Sequence, residues 1–190
     1  MSERKGGHFK TFTGRQVWPL DLRPEDIDPI DIAHHLALEC RFGGATHFHY
    51  SVAQHSFLVA RILTPKEPTI ISIHGLFHDA AEAYLKDVIR PLKRCAEFAA
   101  YRAAEEAAMD AIADRFGLER GFHKRHEIKY ADELMLAAEK RDLTAKCDWD
   151  LEVLPDPKDI PWVEVWSWEY AKQMWLEEYE YGVRKGLVKP

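Results

Sequence analysis

The short stretch Ser72–Asp87, "SIHGLFHDAAEAYLKD", carries His74, His78, Asp79, Glu82 and Asp87 within a helix-forming sequence. Burying that many ionisable groups is costly unless something inside requires them. Two further groups of the same kind stand on apolar helical faces elsewhere. His55 falls in line with Val52, Leu58, Val59 and Ile62, and Asp132 with Ile128, Ala131 and Met135. An unpaired carboxylate on such a face is strongly unfavourable. One divalent ion would account for all of them together. Imidazole nitrogens and carboxylate oxygens suit Zn, Mn, Co, Fe or Ni, with Mg as the hard-oxygen option. A set made of His55, His78, Asp79 and Asp132 needs no cysteine. It leaves positions open for water and substrate, as a catalytic site requires.

Each member also has a plainer reading. Alone, His55 is a hydrogen-bonded core histidine, and Asp132 is the buried partner of an Arg or Lys. "HD" alone is a dipeptide. Glu82 pairs on a helix surface with Lys86 at i+4. Joint occurrence carries the metal reading. The remaining histidines fit it less well. His34 and His35 adjoin a glycine turn, His47 and His49 read as loop residues, and His123 and His126 as solvated. His74, one turn from His78, reads as a core histidine or a group behind the ligands.

The elements that must position these residues read as helices. Helical spacing predicts segments over Asp26–Cys40, from Ser51 as N-cap to Leu63, Thr69–Tyr84, Cys95–Phe116 closed by Gly117, Lys124–Thr144, and Ser167–Lys185. "RFGGAT" breaks the first, "KDVIRPLK" reads as a loop or short turn, and the prolines of "LPDPKDIPW" impose a loop or extended stretch. Strand signals are nearly absent. The expectation is an all-α bundle of about six helices in one domain over 1–190. Residues 1–24 form an irregular lead-in, and 150–190 form a loop plus a C-terminal helix.

Composition bounds the function. Hydrophobic residues make up 46% of the 190, enough for a core. The net charge of -6 argues against nucleic-acid polymers and acidic membranes as partners, since both need clustered positive charge. It leaves room for a pocket that binds a small nucleotide. Cys40, Cys95 and Cys147 form no CxxC pair, which points to a reduced, cytoplasmic setting. Neither a signal peptide nor an apolar membrane span is indicated.

A histidine, then "HD", then a distant aspartate resembles the HD superfamily of metal-dependent phosphohydrolases. The likeness extends through "CRFGGATHFHYSVAQHS", "HDAAEAYLKDVIRPLK" and "YADELMLAAEKRDL", and is greatest to the bacterial 5'-deoxynucleotidases and the small phage dATP triphosphohydrolases. It implies that His55, His78, Asp79 and Asp132 bind one divalent ion. It further implies that Glu82 handles a proton or orients the attacking water, that Asp87 faces the sugar, and that Arg41 holds phosphate. Ala45 and His49 depart from the pattern in the loop. Lys93, with Arg90 behind it, is a second phosphate candidate or else part of a solvated basic turn. Trp18 either helps cover a base or anchors the lead-in. A homodimer is implied by the same likeness. The expected activity is a 5'-(deoxy)nucleotidase on nucleoside monophosphates. The alternatives are a deoxynucleoside triphosphate triphosphohydrolase and, from another class, a helical binding or regulatory module with an inert metal site.

Overall fold

The computed structural model describes residues 3–147 and 153–190. The first residues of the expected lead-in and the start of the expected C-terminal loop, up to residue 152, lie outside the described residues. The architecture is all-α, as the periodicity predicts. Among the described residues, six helices of two or more turns are α1 (Pro29–Leu38), α2 (Val52–Leu63), α3 (Ile70–Phe77), α6 (Ala99–Phe116), α7 (His126–Leu143) and α8 (Trp168–Arg184). Two single turns, α4 (Glu82–Leu85) and α5 (Arg90–Lys93), lie between α3 and α6. No helix among the described residues is long and apolar enough to cross a membrane.

Local chemistry sets the helix starts. Asp28 caps α1 by accepting the Ile30 N–H, and Ser51 caps α2 by accepting the Gln54 N–H. Cys40 and Ser51 pair across an isolated antiparallel bridge. The Arg41 N–H donates to the Tyr50 carbonyl at 2.9 Å, so the loop between them closes at its base and sets these two side by side.

The expected third helix, Thr69–Tyr84, does not run through. It stops at Phe77, and residues 78–81 form a tight turn. His78 Nδ1 donates to the Gly75 carbonyl at 2.7 Å. That side chain occupies a carbonyl the next helical turn would use, and the chain tightens to i+3 bonds such as Ala80 N–H to Phe77 O. Gly75 has a second role. A Cβ there would stand 2.6 Å from a Leu63 methyl and 3.2 Å from the Ala60 backbone, so only glycine lets α3 cross α2 this closely.

The lead-in is more ordered than expected. Phe9–Lys10 (β1) and Gln16–Val17 (β2) form a two-stranded antiparallel ribbon with Phe9 opposite Val17. Its tip is fastened to α1, where buried Asp31 accepts from both the backbone and the hydroxyl of Thr13 at 2.7 Å. The main core draws on Ile32, Leu36, Ile73, Phe77, Phe116 and Trp175. Helix α8 packs against α1, α2 and α3, so the Trp-rich tail belongs largely to the fold. Trp175 is fully buried, Trp166 sits on Phe57, Trp168 meets His34 edge-on, and Trp162 stays exposed. The extended segment before α8 docks on α2 through Gln54, whose amide donates to the Glu164 carbonyl and accepts the Trp166 N–H.

Candidate metal centre

Helices α2 and α7 and the end of α3 bring His55, Asp132, His78 and Asp79 together. The two Nε2 atoms of His55 and His78 face each other at 3.3 Å. Asp132 Oδ1 lies 3.1 Å from His55 Nε2 and 3.8 Å from His78 Nε2. Asp79 Oδ2 lies 3.2 Å from His78 Nε2 and 3.8 Å from His55 Nε2. His55, His78 and Asp79 offer ligand atoms all within 4.8 Å of one another.

The tautomers follow from the outer partners. His55 Nδ1 lies 2.6 Å from Glu139 Oε1, and His78 Nδ1 lies 2.7 Å from a carbonyl, which can only accept. Burial pushes the Glu139 carboxyl upward, but Arg41 and His55 outweigh it and hold the group ionised. Both Nδ1 atoms therefore carry hydrogen, and both Nε2 lone pairs converge on the carboxylate oxygens. Such a meeting of lone pairs is repulsive unless positive charge stands among them. The donor set fits a divalent ion, with each imidazole held by a hydrogen bond on its far nitrogen. Protons occupy the same atoms otherwise. Burial would lower the His78 pKa, but Asp79 and Asp132 raise it well above the ordinary value. Burial likewise works to raise Asp79 and Asp132, and the histidines hold both below the usual carboxylate range.

Around this centre stand the other residues singled out from sequence. Arg41 is buried and donates to Asp79 at 3.4 Å and to Glu139 at 3.2 Å. Arg90 reaches Asp132 Oδ2 at 3.3 Å. Glu82 is 4% exposed, with Lys93 on its Oε1 at 3.0 Å and its Oε2 buried without a partner among the described residues. Burial and the neighbouring Asp79 push the Glu82 carboxyl well up. Lys93 is thus an ion-paired group rather than part of a solvated turn. The i+4 pairing of Glu82 with Lys86 does not form, because Lys86 pairs with Glu39 at 2.9 Å. Asp87 is half-buried, its N–H donating to Glu39, and burial raises its pKa.

Other candidates lie apart. Trp18 takes Arg4 over its ring at 4.6 Å and lies 5.4 Å from the His8 ring, both partners within the lead-in. His35 donates to the Ala83 carbonyl at 2.8 Å and accepts the Phe12 N–H, and His34 stacks on Phe12. His74 stacks on Phe122. His123 is half-buried against Glu106 rather than solvated. Glu139 and Tyr50 escaped the sequence reading. Tyr50 donates to Glu139 Oε1 at 2.8 Å. Glu139 stands seven residues after Asp132, on the same helical face, and that spacing was the available signal.

Comparison with known proteins places the chain among relatives. It is 40% identical over 135 residues to the uncharacterized protein YfdR of Escherichia coli, a span of 71% of each chain. The chain belongs to the same family as YfdR. An uncharacterized protein of Rhodobacter capsulatus is similar too, 38% identical over 114 residues, or 57% of this chain and 58% of that relative. No family model matches the sequence.

Proposed function

We propose that this member of the YfdR family is a metal-dependent phosphohydrolase of the HD type that releases phosphate from a nucleoside monophosphate. The observation that carries the reading is the pair of facing imidazole nitrogens ringed by two carboxylates, with a bare, buried glutamate oxygen on the next turn. When bound, the ion supplies Lewis acidity and a more acidic water. The chain's own residues do the rest. His55, His78, Asp79 and Asp132 hold the ion. Glu82 Oε2 takes a proton from water and returns it to the leaving oxygen. Arg41, whose two terminal nitrogens donate to Asp79 and Glu139, adds fixed positive charge near the phosphate oxygens, where charge develops in the transition state. Asp87 accepts from a sugar hydroxyl.

The charge balance favours a monophosphate over a triphosphate. Among the described residues, Arg41 is matched by Asp79 and Glu139, Arg90 by Asp132, and Lys93 by Glu82 and Glu105. A triphosphate would bring several more negative charges than a monophosphate to cations that are already paired.

The test is phosphate release from dAMP and dATP by metal-reconstituted protein, with and without added pyrophosphatase, against Asp79→Ala. Phosphate from dAMP alone is expected. Inorganic triphosphate from dATP would overturn the substrate assignment. An absence of hydrolysis on any phosphate ester would leave a binding module in its place.

A further inference from the structure

The N-terminal half of α6 grips the segment 86–95 at several points. Tyr101 O–H donates to the Lys86 carbonyl at 2.6 Å. Arg102 donates to the carbonyls of Lys93 and Cys95, the latter at 2.8 Å. Glu105 Oε1 accepts from the Lys93 ammonium at 2.8 Å. The gripped segment leaves α4 through Lys86, at φ 75 and ψ 153. Residues with a side chain rarely adopt that conformation, and it persists only where the surroundings over-determine it. Glu39 and Tyr101 do so here.

From this braced segment Lys93 reaches back to Glu82 Oε1 at 3.0 Å and leaves Oε2 bare. A lysine ammonium is a point charge with rotatable donors on a flexible stem. One carboxylate does not fix it, whereas two acceptors from different elements do. We propose that Glu105 is a positioning residue that acts through Lys93. By holding the ammonium it decides which Glu82 oxygen is occupied and which stays open for proton transfer. The role rests on the reading of Glu82 as the acid–base group, and Glu105 itself need not touch substrate.

Two variants and two readouts test it. Glu105 is partly exposed, with 26% of its side chain accessible, so Glu105→Gln should fold. In metal-loaded Glu105→Gln, kcat on dAMP should fall about tenfold, the scale of losing a supporting hydrogen bond, with KM within about twofold. Bound metal should be unchanged. Lys93 should be acylated several-fold faster by an amine reagent, read by peptide mass spectrometry. Glu105→Asp, which keeps the charge, should recover much of both properties. Wild-type kcat in Glu105→Gln would overturn the proposal. So would unchanged Lys93 labelling, or a lost kcat that Glu105→Asp does not restore. The labelling is independent of turnover. An inactive wild type would sink the phosphohydrolase reading, while faster labelling in Glu105→Gln would still support the hold of Glu105 on Lys93.

Discussion

Phe77 and His78 are neighbours in sequence and enter opposite interiors. Phe77 sets its ring 4.8 Å from Phe116 and 5.0 Å from Trp175. His78 turns its ring 5.2 Å from His55, among Asp79 and Asp132. The aromatic side is complete by itself. Trp175 Nε1 donates to the Leu76 carbonyl and the Tyr179 O–H to the Lys189 carbonyl, each at 3.2 Å, and apolar burial does the stabilising. The ionisable side is not complete. Its lone pairs converge, and only protons or a cation between them relieve the repulsion. Damage to the first interior should therefore be felt as lost stability, and damage to the second as lost binding and chemistry.

Asp79→Ala gives the largest separation between the two. Bound divalent metal should be lost, and phosphate release should fall on the order of 10³-fold or more, while the metal-free protein loses less stability than Trp175→Ala removes. Elemental analysis and a phosphate assay measure both, and an ion retained at full stoichiometry would contradict the ligand assignment. Trp175→Ala should do the reverse. A loss of about 3–5 kcal/mol in urea unfolding is expected for emptying so large a buried site, with the metal stoichiometry of the folded fraction unchanged.

Glu139→Gln probes the support of the centre. It removes the carboxylate behind His55 Nδ1 and leaves Arg41 short of a partner. Metal affinity by calorimetry should weaken about 10–100-fold, with little change in the aromatic interior. The mildest test is pH. In the metal-free protein the His78 pKa is raised by Asp79 and Asp132 against the effect of burial, so metal must displace a proton at neutral pH. Apparent metal affinity should rise with pH and level off only above the folded-state pKa of His78. Stability of the metal-free protein should run the other way. The raised pKa contributes fully below the unfolded value and is lost as pH rises through the folded one. Metal affinity independent of pH would show that protons and the ion do not share these atoms.

Much of the arrangement was legible. The 3.6-residue period placed α1, α2 and α7 to within a few residues, because each carries an apolar stripe, and the alanine-rich run closed by Gly117 placed α6. The same period put His55 and Asp132 on inward faces, where chemistry rather than packing had to explain them. The break at His78 was not legible, since it comes from a side chain bonding back to Gly75. Glu139 passed unnoticed in "LAAEKRDL" because a glutamate among charged residues reads as solvated until α2 is laid against it. The structure pairs Glu82 with Lys93 and not with Lys86. Helical spacing favoured the nearer, but the turn at Lys86 swings the chain so that the farther one arrives.

The sequence by itself settled that this chain folds as helices with buried stripes, and which residues on those stripes carry ionisable chemistry. Backbone periodicity and side-chain type are local properties. Which nitrogen faces which oxygen, which cation neutralises which carboxylate, and which glutamate oxygen is left bare were decided only by the crossing of α2, α3 and α7 and the brace from α6. Those pairings depend on distances of a few ångströms between residues far apart in the chain, and no local pattern encodes them.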